Sequence, residues 1–246
     1  MIAEPVAVVS GGTRGIGLAL SERLVKLGHR VVALYRSDTG AAQAAAAELG
    51  LHVHPVDIGD PDAVAALAET VLTDYGAPRV LVNNAGRNID RPFLELTAED
   101  WRAVLDTNLS GAFYLSKAFA PAMLAGPDDA VIVNIGATTG IRPRRDGANY
   151  CASKAGLLQL TKCLALELAP KIRVNCLIPG MTATEELTTR FRLTDPDALA
   201  EVLTGIPLDR IGGTSDVADA LAFLISPASA YLTGQKLIVD GGQFMW

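Results

Sequence analysis

The chain has 246 residues, of which 50% are apolar and 20% charged, and its formal net charge is −6. This length and composition are typical of a folded protein with a large apolar core, and they exclude a disordered chain. Because the sequence is acidic, has no long basic run and has no signal peptide or membrane span, we expect a cytoplasmic protein without a nucleic-acid or membrane partner.

Apolar runs without alternation recur along the chain, as expected of strands that are covered on both faces. We predict such strands at residues 6–9, 30–34, 51–56, 80–82, 130–135, 172–177 and 236–239. The segments between them predict helices that end near Leu27, Leu49, Tyr75, Met123, Leu168 and Leu224. This alternation predicts one α/β domain over residues 1–246, a Rossmann-type doubly wound parallel sheet of about seven strands with helices on both faces.

Helix start signals occur at three places. Asp60, followed by a proline, is typical of an N-cap. Thr97 and Asp100 resemble a capping box and open a long helix that is expected to run through Asn108. Thr214 is expected to cap the last helix.

The sequence predicts no metal site and no disulfide framework. Cys151, Cys163 and Cys176 lack the spacing of either, so we expect reduced thiols. His52 and His54 alternate in a strand-like run without further ligands.

A glycine-rich turn joins the first predicted strand to the first predicted helix. Its spacing is G-x-x-x-G-x-G rather than the commoner G-x-G-x-x-G. Glycines here permit a tight turn and a close approach of a pyrophosphate to the helix N-terminus. We therefore predict a nucleotide site in this loop, formed by Gly11, Thr13, Arg14, Gly15, Ile16 and Gly17.

The end of the second predicted strand bears on the choice between NAD and NADP. An NAD site places an acidic residue there, whereas this strand ends in Tyr35 and Arg36. Arg36 and Arg14 favour a 2′-phosphate, because guanidinium groups bind phosphate in a bidentate manner, so we predict NADP(H). Two alternatives stay open at this point: Asp38 reaches the ribose, or Arg36 is only a solvated surface charge.

Together with these features, several motifs give the chain a resemblance to the short-chain dehydrogenase/reductase family, closest to its 3-oxoacyl-[acyl-carrier-protein] reductases. The motifs are SGGTRGIG at 10–17, Asp57-Ile58, NNAG at 83–86, Asn108, YCASK at 150–154, PGMTAT at 179–184 and the tail LTGQKLIVDGG. The resemblance implies a homotetramer in which two long helices pack across an interface. It also implies cofactor contacts from Asp57, Ile58, Asn84, Ala85, Gly86, Tyr150, Lys154, Pro179, Gly180, Thr182 and Thr184.

The YCASK motif carries the predicted chemistry. Tyr150 and Lys154 are four residues apart and so share one helix face. A nearby ammonium is expected to lower the pKa of the phenol and make Tyr150 a proton donor. Asn108 is expected to anchor a water that passes protons from Lys154 to solvent.

The family's catalytic serine lies 13 residues before the tyrosine, and that position holds Ala137. Loss of one such donor typically costs about 10²–10³ in rate. Four accounts fit: Thr138 replaces the hydroxyl, a native Ser was changed to Ala, the natural reaction reduces a C=N or conjugated C=C bond, or the protein is an NADP-binding scaffold or sensor. We favour the first two, because Asn108, Tyr150 and Lys154 are intact.

The substrate is expected to be a 3-oxoacyl thioester or related ketone, either small or bound to a carrier protein. Arg142, Arg144 and Arg145 precede Tyr150 and are interpreted as a contact for an anionic substrate or carrier protein, as a solvated loop or as a subunit contact. Residues 181–203 predict a mobile lid in which Phe191 and Leu193 supply apolar contacts or have a structural role.

Overall fold

The structure, a computed structural model, describes residues 4–126 and 129–245. Its strands are β1 Val6–Ser10, β2 Arg30–Tyr35, β3 His52–Pro55, β4 Pro78–Asn83, β5 Ala130–Ile135, β6 Ile172–Pro179 and β7 Lys236–Val239. They form one parallel sheet in the order β3-β2-β1-β4-β5-β6-β7. The predicted parallel sheet is thereby confirmed.

Helices connect successive strands. They are α1 Gly15–Lys26, α2 Thr39–Leu49, α3 Pro61–Asp74, α4 Ala98–Leu105, α5 Gly111–Ala125, α6 Ala148–Leu168, α7 Glu185–Arg190, α8 Pro196–Leu203 and α9 Thr214–Ile225. None of the helices in the described ranges is both long and apolar enough to cross a membrane.

The sheet has an apolar layer on each face. Val6 and Val8 of β1 pack in the layer that contains α3, α5 and α6. The alternate residues Ala7 and Val9 pack in the layer that contains α1, α2 and α9. Because successive strand residues point to opposite faces, a strand between two helical layers is apolar at every position. This explains the unbroken apolar runs in the sequence.

Two expectations about the helices are wrong. The long helix predicted through Asn108 is interrupted by a π-helical segment, Asp106–Ser110, between α4 and α5. A π segment inserts an extra residue into a helix and is often found at functional sites. The cap of α9 is Gly213 rather than Thr214, because the Asp216 carboxylate accepts a hydrogen bond from the Gly213 N–H at 2.7 Å.

Two buried asparagines face each other across β4 and β5. Asn83 is the register partner of Asn134, and its Nδ2 donates to Asn134 Oδ1 at 2.8 Å. Asn83 Nδ2 also donates to Ser116 Oγ of α5 at 3.1 Å, and Asn134 Nδ2 donates to Thr161 Oγ1 of α6 at 2.9 Å. These amides therefore join the centre of the sheet to both long helices.

Candidate active site

The glycine loop is held at the end of β1 by Ser10. Its Oγ accepts hydrogen bonds from the N–H groups of Asn84 and Ala85, each at 3.0 Å. Asn84 Nδ2 donates to the carbonyls of Ser10 and Gly11, at 3.0 and 3.1 Å. Gly11, Asn84 and Ala85 thus meet where β1 and β4 end, which is the switch point where open α/β sheets bind ligands. The Asn84 nitrogen is used in holding the loop, so only its Oδ1 is left for a ribose.

The glycines of the loop are required by close backbone contacts. Gly11 and Gly15 have positive φ values of 62° and 53°. A Cβ on Gly17 would lie 1.9 Å from the Gly11 carbonyl oxygen and 2.5 Å from Asn84 Nδ2. A Cβ on Gly15 would lie 3.7 Å from Thr184 Cγ2, so the loop also adjoins Thr184, another of the predicted cofactor residues.

For the predicted NADP(H) site, we expect Gly17→Ala to weaken NADPH binding by about tenfold or more, because the Cβ forces the loop open, and each tenfold is about 1.4 kcal/mol. Fluorescence titration with NADPH measures this change. Gly40→Ala is the matched control, since its Cβ would lie 3.8 Å from its nearest neighbour, Asp38 Oδ1. Equal affinities in the two variants would contradict the role of Gly17.

The remaining loop residues divide by exposure. Thr13 is buried and Ile16 packs against the layer of α1, α2 and α9, whereas Arg14 is exposed at the start of α1. Arg14 is thus the loop residue whose side chain is available to a ligand.

At the end of β2 the structure separates Arg36 from Asp38. β2 ends at Tyr35, as predicted, and Arg36 follows it as an exposed residue. Asp38 is the N-cap of α2, and its Oδ1 accepts a hydrogen bond from the Ala41 N–H at 3.0 Å. The acidic side chain nearest this strand end therefore has a structural partner.

Asp57 and Ile58 lie beside this strand end. The Val56 N–H donates to the Tyr35 carbonyl at 2.8 Å, which brings the chain after β3 next to the end of β2. Asp57 is exposed, and its Oδ1 accepts a hydrogen bond from the Gly59 N–H at 3.0 Å. Ile58 is buried against Gly111, where a Cβ would come within 2.7 Å of its side chain.

Asn108 lies in the π segment and its carboxamide is fully occupied. Its Oδ1 accepts from the Arg87 N–H at 2.7 Å, and its Nδ2 donates to the Arg87 carbonyl at 2.9 Å and to Ser153 Oγ at 3.1 Å. Ser153 Oγ donates in turn to the Tyr150 carbonyl at 2.8 Å. The Asn108 side chain ties the chain after β4 to the first turns of α6, and its expected role in anchoring a water stays a prediction.

Lys154 is buried, and its Nζ donates to the Ile135 carbonyl at 2.8 Å. Burial lowers the pKa of Lys154 to about 8. A Cβ on Gly86 would lie 3.8 Å from this Nζ and 3.7 Å from Asn108 Oδ1. The predicted residues Gly86, Asn108 and Lys154 are therefore brought together.

The expectation of a lowered phenol pKa is wrong. Burial, and after it the charge of Glu186, raises the pKa of Tyr150 to about 12, while Arg144 and Arg190 act in the opposite direction. Lys154 Nζ is 5.8 Å from the ring centroid. The spacing in the sequence places Lys154 on the same helix face as Tyr150. It does not reveal how deeply the phenol is buried, and burial is what raises its pKa.

Ala137 precedes a 3₁₀ turn, Thr138–Gly140, and has an extended backbone, with φ −156° and ψ 151°. The Thr139 hydroxyl is buried without a hydrogen-bond partner in the described part of the chain. Gly140 packs on α6, since a Cβ there would lie 2.7 Å from the Lys154 carbonyl carbon. This contact fixes the turn against the helix that carries Tyr150.

The three predicted arginines have different surroundings. Arg142 lies over the Phe244 ring, with its Cζ 5.6 Å from the centroid. Arg144 lies over the Tyr150 ring at 5.7 Å. Arg145 is exposed. Arg142 is exposed as well, whereas Arg144 is partly buried and paired with Asp90, so the interpretation as a solvated charge is wrong for Arg144 alone among the three.

The remaining predicted cofactor residues lie where β6 ends. Pro179 is the last residue of β6, and a Cβ on Gly180 would lie 2.4 Å from Asp240 Cβ. Thr182 is buried and bridges to Gly212, whereas Thr184 caps α7 by accepting from the Leu187 N–H at 3.3 Å. These residues lead directly into the predicted lid.

The predicted lid contains α7 and α8, so its partly helical character is as expected. A cavity of about 440 Å³ lies beneath these helices and is lined by Met181, Phe191, Arg192, Ala198, Glu201, Val202, Thr204, Gly205 and Gln243. Phe191 thus contributes to a cavity, while Leu193 is not part of its lining. Tyr150 does not line it either, so the cavity adjoins the lid rather than the phenol.

Several residues that shape the site were not predicted. Ser10 ends the first apolar strand, and that polar position was the available signal. Ser153 lies inside the YCASK motif, where the serine itself was the signal. Asp90 pairs with Arg144 across 54 residues, and no local pattern could indicate that partner.

The comparisons with known proteins agree with this fold. A family model described as Enoyl-(Acyl carrier protein) reductase matches residues 11–243. A 3-oxoacyl-[acyl-carrier-protein] reductase, FabG, of Escherichia coli K12 is 37% identical over 243 residues, covering 98% of this chain and 97% of the relative. The 3-oxoacyl-[acyl-carrier-protein] reductase of Synechocystis is 38% identical over 248 residues, with coverage of 98% and 97%.

Solved structures also superpose closely on this chain. A Brucella melitensis protein described as a short-chain dehydrogenase/reductase, glucose/ribitol dehydrogenase, superposes with a TM-score of 0.91 at 32% identity, covering 99% of this chain and 98% of the other. The aldohexose dehydrogenase of Thermoplasma acidophilum gives a TM-score of 0.89 at 33% identity, with coverage of 98% and 94%.

The fold and these matches define an oxidoreductase built on a Rossmann-like sheet. The chain belongs to the short-chain dehydrogenase/reductase family, and it resembles the 3-oxoacyl-[acyl-carrier-protein] reductases along nearly its whole length.

Proposed function

We propose that the protein is an NADP(H)-dependent reductase that transfers hydride to a carbonyl, with Tyr150 as the general acid. The observation that carries this proposal is the convergence of the glycine loop, Gly86 and buried Lys154 at the carboxyl ends of β1, β4 and β5. Because the pKa of Tyr150 is raised to about 12, the phenol keeps its proton at neutral pH and can give it to a substrate oxygen.

The residues of the site fit a dinucleotide. The glycines let the loop turn tightly at the start of α1, where a helix N-terminus favours a pyrophosphate, and Thr184 adjoins this loop at Gly15. NADPH would supply the hydride. Lys154, which is mostly protonated at neutral pH, would bind the nicotinamide ribose, and Asn108 would hold α6 in place through Ser153.

The preference for NADP(H) is supported by the end of β2. Asp38 is used to cap α2, whereas Arg14 and Arg36 are exposed and lack charged partners within the described ranges. Charge-assisted hydrogen bonds contribute about 1.5–3 kcal/mol, so two guanidinium groups can discriminate strongly for a 2′-phosphate.

We expect Arg36→Ala to weaken NADPH binding by about tenfold or more and to leave NADH binding unchanged. Asp38→Asn is the control, because Asn also caps helices well, and its affinity for both cofactors should stay the same. Equilibrium titration of both nucleotides gives the ratio. A loss of NADH affinity in Asp38→Asn would instead identify an NAD site.

The proposed substrate is a 3-oxoacyl thioester or a related ketone, either small or bound to a carrier protein. Support comes from the relatives named as 3-oxoacyl-[acyl-carrier-protein] reductases. Loss of NADPH absorbance is measured with carrier-bound, CoA-bound and short model thioesters. This assay tests the reaction and also shows which thiol carrier of the acyl chain the protein accepts. If none of these substrates is reduced although NADPH binds, the protein is not such a reductase.

A second candidate is the reduction of a conjugated C=C or C=N bond. Ala137 favours it, because these reactions need less activation of an oxygen, and the matching family model is described as an enoyl reductase. Turnover of an enone without turnover of the matching saturated ketone would support this candidate. The opposite pattern would remove it.

We also propose that residues 1–246 act as one cytoplasmic domain that assembles into a homotetramer. The single sheet from Val6 to Val239 supports one domain, and the free cysteines suit a reducing compartment. Exposed apolar side chains on the two long helices, Phe113 on α5 and Leu166 on α6, support their packing across an interface.

A further inference from the structure

The Arg144 guanidinium is fixed over the ring of Tyr150. Its Cζ lies 5.7 Å from the ring centroid. Nη1 and Nη2 donate to the Asp90 carboxylate at 2.8 and 2.6 Å, and Nη2 also donates to Asn88 Oδ1 at 2.8 Å. Such a bidentate pair fixes the plane of the guanidinium as well as its position.

Gly147 provides the space in which this guanidinium lies. A Cβ on Gly147 would be 2.8 Å from Arg144 Cζ, 3.0 Å from Nη1 and 3.1 Å from Nη2. The φ of Gly147 is −119°, which other residues adopt readily. The glycine is therefore explained by the space that Arg144 needs and not by the backbone conformation.

The same carboxylate also holds the lid. Arg190, the last residue of α7, donates to Asp90 Oδ2. Asp90 thus joins the chain after β4, the segment before α6 and α7 around the phenol. The side chains of Arg144, Arg190 and Asp90 are each about one-third exposed or less, so solvent screens this group only in part.

Charged and titratable groups face the phenol from three elements: Arg144 before α6, Cys151 and Lys154 on α6, and Glu186 and Arg190 on α7. Lys154 Nζ lies 5.8 Å from the same ring centroid and donates to the Ile135 carbonyl. Arg144 differs in that Asp90 and Asn88 fix its guanidinium over the ring, and it lowers the pKa of Tyr150 against burial and Glu186.

We propose that Arg144 is a positioning residue that stabilises the phenolate left on Tyr150 after proton transfer, and that Asp90 and Gly147 hold it there. This inference rests on the proposed function, in which the Tyr150 O–H bond breaks and its proton joins the substrate oxygen as hydride reaches the carbonyl carbon. A cation over an aromatic ring gains more from an anionic ring than from a neutral one. Arg144 thus favours the charge that the reaction creates.

The test is an ultraviolet pH-jump titration of the phenol in the purified protein, from about pH 9 to about pH 13, with the signal of Tyr150 identified by its loss in Tyr150→Phe. We expect Arg144→Met to move this titration about one unit upward, which leaves about tenfold less phenolate at a given pH. Arg142→Met is the matched control, because Arg142 stacks on Phe244 and not on Tyr150, and should cause no shift.

Gly147→Ala provides a second variant in which every charge is kept but the guanidinium is displaced. It should shift the titration in the same direction by a smaller amount. The basic limb of the pH–rate profile should move upward with the titration in both variants. A folded Arg144→Met or Gly147→Ala protein with an unshifted titration would overturn the inference. Activity retained in Tyr150→Phe would instead overturn the proposed function, and the titration would still report on Arg144.

Discussion

Ala137→Ser is expected to raise kcat for ketone reduction by about 10²-fold, because it restores a hydroxyl donor where negative charge develops on the substrate oxygen. The backbone at Ala137 is extended, and the turn that follows is fixed against α6 through Gly140, so one added oxygen requires little rearrangement. Steady-state kinetics with NADPH and a 3-oxoacyl thioester measure the gain.

Two further variants identify the donor in the present protein. Thr138→Val should lower kcat if the Thr138 hydroxyl now serves the substrate, whereas Thr139→Val should not, because that hydroxyl is buried and unpaired. A large gain in kcat from Ala137→Ser with no loss from Thr138→Val means that no hydroxyl donates to the substrate oxygen in the present protein. No gain from Ala137→Ser, together with a loss from Thr138→Val, would refute the expected result and assign the role to Thr138.

Tyr150→Phe is expected to reduce kcat by about 10²–10⁴-fold while NADPH affinity stays nearly unchanged. The change removes only the phenolic oxygen, so the ring and its contact with Arg144 remain. Single-turnover measurements separate the loss in the chemical step from any change in binding.

Tyr231→Phe is the matched control for this experiment, because Tyr231 is fully exposed and far from any proposed role. Its kinetics should equal those of the parent protein. A Tyr150→Phe protein that still reduces ketones at the parental rate would show that another group supplies the proton, and Lys154 would then be the first candidate to examine.

Much of the fold followed from local patterns in the sequence. β1 and β5 were predicted almost to their ends, because a strand between two helical layers is apolar throughout and stops at a polar or glycine position. Asp60 caps α3 as predicted, accepting from the Asp62 N–H at 2.9 Å. The π segment was missed, since its residues continue a helical pattern and an inserted residue leaves no compositional mark.

The site was predicted less completely than the fold. The motif spacing located Tyr150 and Lys154, because residues four apart share a helix face. The pKa of Tyr150 was predicted in the wrong direction, since it depends on burial of the phenol and on the charge of Glu186 in α7, neither of which local spacing reveals. The bidentate ion pair between Arg144 and Asp90 depends on two loops that meet only in the folded chain.

The hydrogen-bonded amides of Asn83 and Asn134 fix the register of β4 against β5. β4 and β5 otherwise consist largely of interchangeable branched apolar residues, which would tolerate a shifted pairing. A slip of one strand by one residue would place the two amides on opposite faces of the sheet and break the hydrogen bond between them, at a cost of about 1–3 kcal/mol for each buried group left unpaired. The two asparagines thus permit a single alignment. The segment after β4, which begins at Asn84 and holds the glycine loop, and the segment after β5, which contains Ala137, are positioned relative to each other by this alignment.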